Sequence, residues 1–218
     1  MKLIIAGKSA LIVAICLFLT LFVVLLTSIT NPQKTRETLA EWLPESKPSD
    51  MSAHNPSKSL AANEAATLTR SNESDVFGGA GGTRKEDPMF SYFSRGWNSN
   101  SQWWQLSVLS TAGFERIELS FAARGSNTGP KNYALEYSIN GNEWLALTDS
   151  DNSKIQYTID ADNRFHRHGP YLISDGINGL DQLHIRFYNT DTESVIGEIT
   201  KSTGTNYIAD IVLTGIAA

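Results

Sequence analysis

The chain has almost no cysteine, since Cys16 is the one cysteine among 218 residues. An intrachain disulfide and a cysteine-based metal site are therefore both excluded. A surplus of basic residues is also absent, because 18 Lys and Arg stand against 23 Asp and Glu and give a net charge of -5. A mildly acidic chain has no electrostatic reason to bind nucleic acid, so no nucleic-acid partner is predicted.

The signatures of common catalytic sites are missing as well. No Gly-x-Ser-x-Gly elbow surrounds Ser110, Ser126 or Ser138, and no EF-hand spacing is present. The glycine run GGAGG at 78–82 lacks the Lys-Ser/Thr that follows such a run in a phosphate-binding loop. The sequence therefore predicts no catalytic residues, and we expect a protein that is not an enzyme.

One long apolar run is present near the N-terminus, where residues 11–26 read LIVAICLFLTLFVVLL. With its flanks it reaches about twenty residues, enough for a helix to cross a bilayer. No Ala-x-Ala cleavage site follows, which favours a signal anchor over a cleaved signal peptide. We therefore predict a transmembrane helix within residues 1–30, inserted in the cytoplasmic membrane through residues 11–29. Secretion after signal-peptide cleavage is the alternative.

The orientation of this helix follows from the charges beside it. Lys2 and Lys8 precede the apolar run, and Lys34 and Arg36 follow it. The rule that positive flanks stay inside favours a cytoplasmic N-terminus slightly. We expect a single-pass protein whose remaining chain lies on the extracytoplasmic side.

Residues 31–86 differ in composition from the rest of the chain. They are rich in Ser, Ala, Glu, Lys, Thr and Pro, and their only aromatic residues are Trp42 and Phe77. Such a segment buries too little apolar surface to offset the entropy of ordering it. The sequence predicts a flexible, disordered stalk here, with transient helical turns over residues 35–43 and 57–70.

Alternating apolar and polar residues mark a β domain over residues 87–218. Ile117, Leu119 and Phe121 alternate with polar residues, as in a strand with one buried and one wet face. Asn140-Gly141 is a pair typical of a tight hairpin turn. The predicted strands are residues 89–95, 102–109, 116–124, 132–139, 143–148, 154–159, 182–189 and 207–214. Short strands separated by turn signals predict an all-β sandwich or barrel.

Three segments of this domain resemble a β-sandwich module of exported bacterial proteins. They are GWNSNSQWWQLSVLSTAGFERIELSFAARGSNTGPKNYALEYSINGNEW, then LHIRFYNT, then GTNYIADIVLTG. The resemblance covers about residues 88–216 and implies a jelly-roll β-sandwich of the galactose-binding-like kind. One departure is Ile139-Asn140, where the family more often has Thr-Asp. Such modules accompany varied catalytic and surface regions, so the resemblance indicates fold rather than activity.

Candidate ligand-binding residues are aromatic and polar side chains near predicted strand ends. Aromatic platforms on a sandwich stack on sugar rings, and adjacent tryptophans of one strand face opposite sides of the sheet. One tryptophan of the adjacent pair is therefore expected in the core. An arginine before the loop GSNTGP is expected either to pin the loop's carbonyl groups or to bind an anionic ligand. The candidates are Trp97, Trp103, Trp104, Arg124 and Asn127.

Two histidines raise the question of a metal. His166 and His168 would share a face of a strand, and a zinc site would need His184 or Asp162 as a third ligand. No third ligand is well spaced, so no metal site is predicted. The resemblance also implies a structural calcium ion as an option, for which the hard oxygen ligands would be Asp149, Asp151, Asp160 and Asp162. No other cofactor is predicted.

These observations together predict a membrane-anchored, extracytoplasmic, non-catalytic binding module. Its ligand is expected to be a glycan, the cell wall or a surface protein. A structural or assembly component of the bacterial envelope is the first alternative, in which the sandwich packs against another envelope protein. A metal-dependent hydrolase built on the histidines is the second.

Overall fold

The computed structural model describes residues 34–44, 53–71, 78–81, 90–100 and 102–218. They form thirteen β-strands in two antiparallel sheets and two short 3-10 turns, Ala61–Asn63 and Asp175–Ile177. Residues Arg36–Ala218 make up one compact unit. The strands are β1 (Arg36–Trp42), β2 (Lys58–Ser59), β3 (Thr67–Arg70), β4 (Gly78–Gly81), β5 (Phe90–Arg95), β6 (Trp103–Leu109), β7 (Phe114–Gly125), β8 (Asn132–Ser138), β9 (Leu145–Ala146), β10 (Gln156–Thr158), β11 (His166–Leu172), β12 (Leu183–Asn189) and β13 (Thr205–Ala217).

The first sheet, here sheet A, is organised around β13. This strand pairs along its length with β7, and β11 pairs with the far side of β7. The other side of β13 pairs first with β5 and then with β1, because the strand is thirteen residues long. β4 extends the sheet beyond β5, and β2 extends it beyond β1.

The second sheet, here sheet B, has the order β10-β8-β12-β6-β3, and β9 also pairs with β8. Its central strand β12 contributes Leu183, Ile185 and Phe187 to the core, while the alternate residues face outward. The two sheets bury one common apolar cluster between them. The largest fully buried side chains of this cluster are Trp42, Trp97, Trp104, Tyr133, Phe121 and Phe187.

The strand predictions for the second half of the chain agree with this architecture. Strands occur at all eight predicted places from residue 89 onward, although the one predicted over residues 143–148 is reduced to β9. Gly141 has a φ of +75°, as the Asn-Gly turn requires. β11 was not predicted, because its sequence HRHGPYL is polar and contains Gly-Pro. The all-β, two-sheet class is confirmed, and it is consistent with a jelly roll.

The flexible stalk predicted for residues 31–86 is wrong for the residues described there. β1 lies between β13 and β2, β3 pairs with β6, and β4 pairs with β5. Leu39, Trp42 and Leu68 are fully buried. A few apolar residues at alternate positions suffice for a strand when its neighbours supply the hydrogen bonds and the rest of the core. The sandwich therefore includes the chain from Arg36, and the predicted helical turns at 35–43 and 57–70 are replaced mainly by strands.

The predicted transmembrane segment, residues 11–29, lies outside the described residues. Within the described ranges, no helix has the length and apolar character needed to cross a membrane.

Candidate functional site

The outer side of sheet B carries a row of polar side chains that crosses four strands and ends beside Ala146 on a fifth. Cross-strand pairing aligns Thr69 with Gln105, Gln105 with Arg186, Arg186 with Glu136, and Glu136 with Ala146. The residues before and after them in β6, β8 and β12 point into the core, so this row faces away from it. The sheet register therefore places Arg186 beside Gln105, which lies 81 residues earlier in the sequence.

Arg186 is held between two tryptophans at the centre of this row. Its guanidinium carbon lies 3.6 Å from the centre of the Trp144 ring and 4.5 Å from that of the Trp103 ring. Trp103 stands on β6, opposite Tyr188 of β12. Trp144 comes from the hairpin between β8 and β9 and is half-buried. Two cation–π contacts thus fix the position of one guanidinium on the sheet surface.

Hydrogen bonds order the polar groups beneath the tryptophans. Arg186 Nε donates to Gln105 Oε1 at 2.7 Å, and Gln105 Nε2 donates to Ser107 Oγ at 2.6 Å. Arg186 Nη1 also forms an ion pair with Glu136 Oε1 at 3.8 Å. The side chains of Arg186 and Glu136 are only 20% and 21% exposed. We call this surface the Trp144 face, and it comprises Trp103, Gln105, Glu136, Trp144, Arg186 and Tyr188.

Partial burial changes the pKa values of the three ionisable side chains on this face. Burial raises the pKa of the Glu136 carboxyl, and the charge of Arg186 opposes that rise. Burial lowers the pKa of the Arg186 guanidinium, which Glu136 in turn stabilises. Burial, and then the charge of Glu136, raises the pKa of Tyr188. The Glu136–Arg186 pair therefore neutralises itself, and the face presents little net charge to a ligand.

The chemistry of this face suits a polyhydroxylated ligand. Flat apolar rings can pack against the C–H side of a sugar ring. Carboxylate, guanidinium and amide groups beside the rings offer acceptors and donors in fixed directions for hydroxyl groups. A small number of polar groups placed among aromatic side chains is the usual composition of a small-molecule site.

The structure places the five predicted site residues in different environments. Trp103 lies on the Trp144 face. Trp97 and Trp104 are 2% and 0% exposed, and their rings pack on one another in the core with centroids 6.0 Å apart. The Nε1 groups of Trp97 and Trp104 donate to Ser94 O at 2.9 Å and to Asn206 Oδ1 at 2.7 Å. The prediction of ligand contact is therefore corrected for these two buried indoles.

Arg124 and Asn127 belong to sheet A and the loop that follows β7, away from Trp103 on sheet B. Arg124 lies 3.9 Å over the ring of Tyr207, and its Nη1 donates to Asn163 Oδ1 at 3.1 Å. Asn127 is exposed. The loop carbonyls that Arg124 was expected to pin accept hydrogen bonds from backbone amides, namely Ser126 O from Gly129, Asn127 O from Ile196, Thr128 O from Lys201 and Gly129 O from Val195. Backbone amides thus perform the role expected of Arg124.

The histidines occupy three separate environments. The Nε2 atom of His166 lies 3.0 Å from the Asp162 carboxylate, and its Nδ1 lies 3.5 Å from Asp160. His168 is half-buried and packs against Phe121 and Tyr157, and His184 stands on sheet B. In the described part of the chain, no three or more His, Cys, Asp or Glu side chains are grouped so that they could hold a metal ion.

The aspartates considered for calcium instead close turns. Asp149 Oδ1 accepts hydrogen bonds from the amides of Asp151 and Ser153, and Asp162 Oδ1 accepts one from the amide of Arg164. Side-chain acceptors of this kind stabilise loops by mimicking a backbone turn.

His168 makes the stability of the sandwich depend on pH. Burial, reinforced by the charge of His166 and opposed by Asp160, lowers the pKa of His168 from 6.5 to about 4. Its ring is 5.1 Å from Phe121 and 4.6 Å from Tyr157. Between these pH values the unfolded chain binds a proton at His168 that the folded chain does not bind. Stability from this residue is therefore complete above pH 6.5 and is lost progressively as the pH falls toward 4.

Replacing His168 by phenylalanine is expected to flatten this acid dependence. Phenylalanine keeps a ring beside Phe121 and Tyr157 but cannot take up a proton. Urea unfolding at pH 7.5, 6, 5 and 4 measures the effect, with Tyr171→Phe as the control on the same strand, because burial raises the pKa of Tyr171 above 10.0 and it does not titrate over this range. An unchanged slope between pH 6.5 and 4 in His168→Phe would assign the acid sensitivity to other groups.

Sequence reasoning missed most of the Trp144 face. Glu136, Trp144 and Arg186 were not proposed as site residues. One signal was available, because Arg186 stands in the alternating strand LHIRFYNT at a position that faces away from the core. Trp144 follows the Asn-Gly turn, whose fold-back places its side chain over the sheet.

No model of a protein family matches this chain, and no curated protein does. Among solved structures, the CBM22-2 xylan-binding domain of Paenibacillus barcinonensis Xyn10C is 13% identical, with 78% of this chain and 98% of that chain covered and a TM-score of 0.43. The C-terminal family 22 carbohydrate binding module of Clostridium thermocellum Xyn10B is 13% identical, with coverages of 80% and 98% and a TM-score of 0.37. TmCBM61, solved with β-1,4-galactotriose, is 10% identical, with coverages of 68% and 87% and a TM-score of 0.38. The similar structures are thus carbohydrate-binding modules, and at these values no ligand is carried over from them.

Proposed function

We propose that this protein is a non-catalytic glycan-binding module with a jelly-roll fold, and that it holds a neutral sugar chain on the Trp144 face. The observation that carries the proposal is the Arg186 guanidinium, which lies between Trp103 and Trp144 and pairs with Glu136. Rings for stacking and groups for hydroxyl recognition are thereby fixed before a ligand arrives. Such preorganisation lowers the entropic cost of binding.

The charge of the face supports a neutral rather than an acidic chain. The carboxylate of Glu136 already offsets the charge of Arg186 at 3.8 Å. An acidic sugar would have to compete with Glu136 for the same guanidinium, whereas sugar hydroxyls can share both groups. Glycoside hydrolysis uses two carboxyl groups about 5 to 9.5 Å apart. The central groups of the row, Gln105, Arg186 and Glu136, include one carboxyl group, which supports binding without cleavage.

Affinity electrophoresis with neutral polysaccharides tests this function. The full-length chain in neutral detergent is run through gels that contain xylan, β-1,4-galactan or no polysaccharide. We expect at least one neutral polymer to retard the protein, and we expect no new reducing ends after prolonged incubation. Unchanged mobility on a broad panel of neutral polysaccharides would contradict the proposal, and release of reducing ends would contradict its non-catalytic part.

The cellular setting that we propose rests on the sequence of residues 11–29. This apolar run supports a single-pass anchor in the cytoplasmic membrane with the module on the extracytoplasmic side. Carbonate extraction of membranes tests the anchor, because an inserted helix stays in the pellet. Recovery of a soluble chain that starts near Asn31 would instead support the secreted alternative.

A role in envelope assembly is a second candidate, which one surface favours. Ile139 and Leu145 are 57% and 60% exposed, and with Tyr137 and Leu180 they line a cleft of about 250 Å³. Exposed apolar side chains around a cleft are a feature of protein-binding surfaces. Photo-cross-linking from position 145 in intact cells would capture a protein neighbour if assembly is the function.

A further inference from the structure

One end of the sandwich carries a polar cavity that shares no residue with the Trp144 face. Its volume is about 530 Å³, which lies within the range of small-molecule sites. The walls come from three parts of the chain, namely the start of β7, the turn at residues 149–153 and the segment 172–176. The polar side chains in these walls are Arg116, Ser150, Asn152 and Ser174. We call this site the Arg116 cavity.

Backbone hydrogen bonds hold the walls of the Arg116 cavity together. The amide of Ser150 donates to Leu172 O at 2.8 Å, which joins the turn to the end of β11. The amide of Ile173 donates to Ile117 O at 2.9 Å, which joins the same segment to β7 beside Arg116. The cavity is therefore formed before a ligand binds, and this lowers the entropic cost of binding.

Arg116 has an uncommon backbone conformation that a distant arginine stabilises. Its φ of +52° lies in the left-handed region, which residues other than glycine seldom adopt. Arg36 Nη1 donates to Arg116 O at 2.7 Å, and Arg36 Nη2 forms an ion pair with Glu118 at 2.8 Å. Strained residues persist where surrounding contacts hold them, and they are concentrated at ligand sites. This strain is a first indication that the Arg116 cavity has a function.

The polar groups of the cavity are mainly hydrogen-bond donors. Within the described part of the chain, Arg116 forms no ion pair, and Glu118, two residues on, is already bound by Arg36. A guanidinium group has five N–H donors and no acceptor. Ser174 Oγ accepts a hydrogen bond from Thr148 Oγ1 at 2.9 Å, so its own hydroxyl proton can be donated to a ligand. A carboxylate, which only accepts, therefore suits this cavity.

The apolar cleft lined by Ile139 and Leu145 adjoins the Arg116 cavity. Gly176 lines both of them and has no side chain to divide them. A Cβ atom at Gly176 would lie 3.1 Å from Tyr137 Oη, inside normal van der Waals contact. Glu143 also lines the cleft, and its negative charge disfavours a carboxylate there. A ligand that spans both places therefore has its carboxylate in the Arg116 cavity and an apolar group in the cleft.

We propose that the Arg116 cavity and this cleft together bind the C-terminus of a partner protein whose last residues are apolar. Arg116, Ser150 and Asn152 bind the terminal carboxylate, and Leu145 contacts an apolar side chain beside it. An acidic sugar suits the pair of sites less well, because it would place hydroxyl groups against the aliphatic wall without hydrogen-bond partners. This inference goes beyond the glycan-binding function proposed for the Trp144 face and does not depend on it.

Fluorescence anisotropy with labelled pentapeptides tests this site on the full-length chain in phosphatidylcholine nanodiscs. The peptides Gly-Ser-Gly-Leu-Leu and Gly-Ser-Gly-Phe-Phe carry the label at the N-terminus and have a free C-terminal carboxylate. The same peptides with a C-terminal amide are the matched neutral ligands. Gly-Ser-Gly-Ser-Ser with a free carboxylate is the control for the apolar side chains.

Each variant has a matched control elsewhere on the surface. Arg116→Gln removes the charge and Arg116→Lys keeps it, while Arg95→Gln removes the charge of an exposed arginine at the end of β5. Leu145→Ala removes part of the cleft wall. Ile199→Ala is its control, because Ile199 is 74% exposed and does not line the cleft. Thermal melts establish that each variant folds.

We expect the free carboxylate to bind about tenfold or more tightly than the amide, the usual effect of hydrogen bonds to a charged group. Arg116→Gln should abolish that preference, and Arg116→Lys should keep part of it. Leu145→Ala should weaken binding of the apolar peptides about threefold or more, because apolar contact area is lost. Arg95→Gln, Ile199→Ala and Trp144→Ala should each change peptide binding less than about twofold.

Three results would overturn the proposal. They are no binding of either apolar peptide at millimolar concentration, equal binding of carboxylate and amide by the wild type, and an equal loss in Arg95→Gln and Arg116→Gln. Stronger displacement of the labelled peptide by galacturonate or by oleate than by unlabelled peptide would also overturn it, in favour of an acidic sugar or a fatty acid. None of these results bears on glycan binding, which Trp144→Ala tests separately.

Discussion

Replacing Trp144 by alanine is expected to lower the affinity for a neutral glycan about thirtyfold while leaving the fold intact. The indole supplies a stacking surface, and it also holds Arg186 from 3.6 Å. Truncating a tryptophan at the centre of a binding surface costs about 2 kcal/mol of binding free energy, which corresponds to about thirtyfold in affinity.

The same hairpin provides a control for this experiment. Leu145 directly follows Trp144 and is 60% exposed, so Leu145→Ala removes apolar surface without touching Arg186. Calorimetric titration with the neutral polysaccharide that retards the wild-type protein measures both variants, and melting curves measure their stability. We expect Leu145→Ala to bind like the wild type. Equal losses of affinity in both variants would show that the hairpin, rather than the Trp144–Arg186 contact, determines binding.

The second half of the fold was predictable because local patterns and tertiary structure agree there. In β7, Ile117, Leu119 and Phe121 alternate with polar residues, and all three are buried. The Asn140-Gly141 turn has the positive φ that its sequence implies, and Ser138 Oγ accepts a hydrogen bond from the Gly141 amide at 2.8 Å. An alternating apolar and polar pattern next to an Asn-Gly pair predicts a strand and a turn from the local sequence alone.

The first strands could not be recognised because their stability comes from distant partners. β1 reads RETLAEW, whose residues also suit a helix, and its core contribution is limited to Leu39, Ala40 and Trp42. It becomes a strand because β13, about 170 residues later, provides the partner for its backbone hydrogen bonds. β3 depends in the same way on β6. Composition averaged over fifty residues does not reveal such pairings, and tertiary context overrides local propensity.

The candidate site was only partly predictable for the same reason. The adjacent pair Trp103 and Trp104 correctly indicated one inward and one outward indole, since Trp104 is fully buried and Trp103 is not. The partners of Trp103 on the Trp144 face come from β8, β12 and a hairpin. Arg186 is brought beside Gln105 and Glu136 by the strand register, which the sequence alone does not specify. The sequence therefore predicted an outward-facing tryptophan, whereas only the folded structure shows which residues lie beside it.

Replacing Trp104 by alanine is expected to destabilise the sandwich by about 3 to 5 kcal/mol, the usual cost of removing a buried aromatic side chain. The ring is 0% exposed and packs on Trp97. The substitution also leaves Asn206 Oδ1, on a fully buried residue, without the 2.7 Å hydrogen bond from the indole. For a domain of this size, each kcal/mol lowers Tm by about 2 to 4 °C, so we expect a decrease of about 6 to 20 °C.

Two variants separate the contributions of packing, hydrogen bonding and strand position. Trp104→Phe keeps most of the ring but removes the Nε1 donor, so its cost should be about 1 to 3 kcal/mol, as expected when a buried acceptor is left unpaired. Trp103→Ala changes the preceding residue, whose side chain lies on the other side of the same sheet, and should shift Tm far less than Trp104→Ala while weakening glycan binding. Urea unfolding gives the free energies, and titration gives the affinities. Adjacent residues of a strand point to opposite sides of the sheet, so only one of the two indoles can pack in the core between the sheets. Similar losses of stability from Trp103→Ala and Trp104→Ala would therefore contradict the assignment of Trp104 to the core and Trp103 to the Trp144 face.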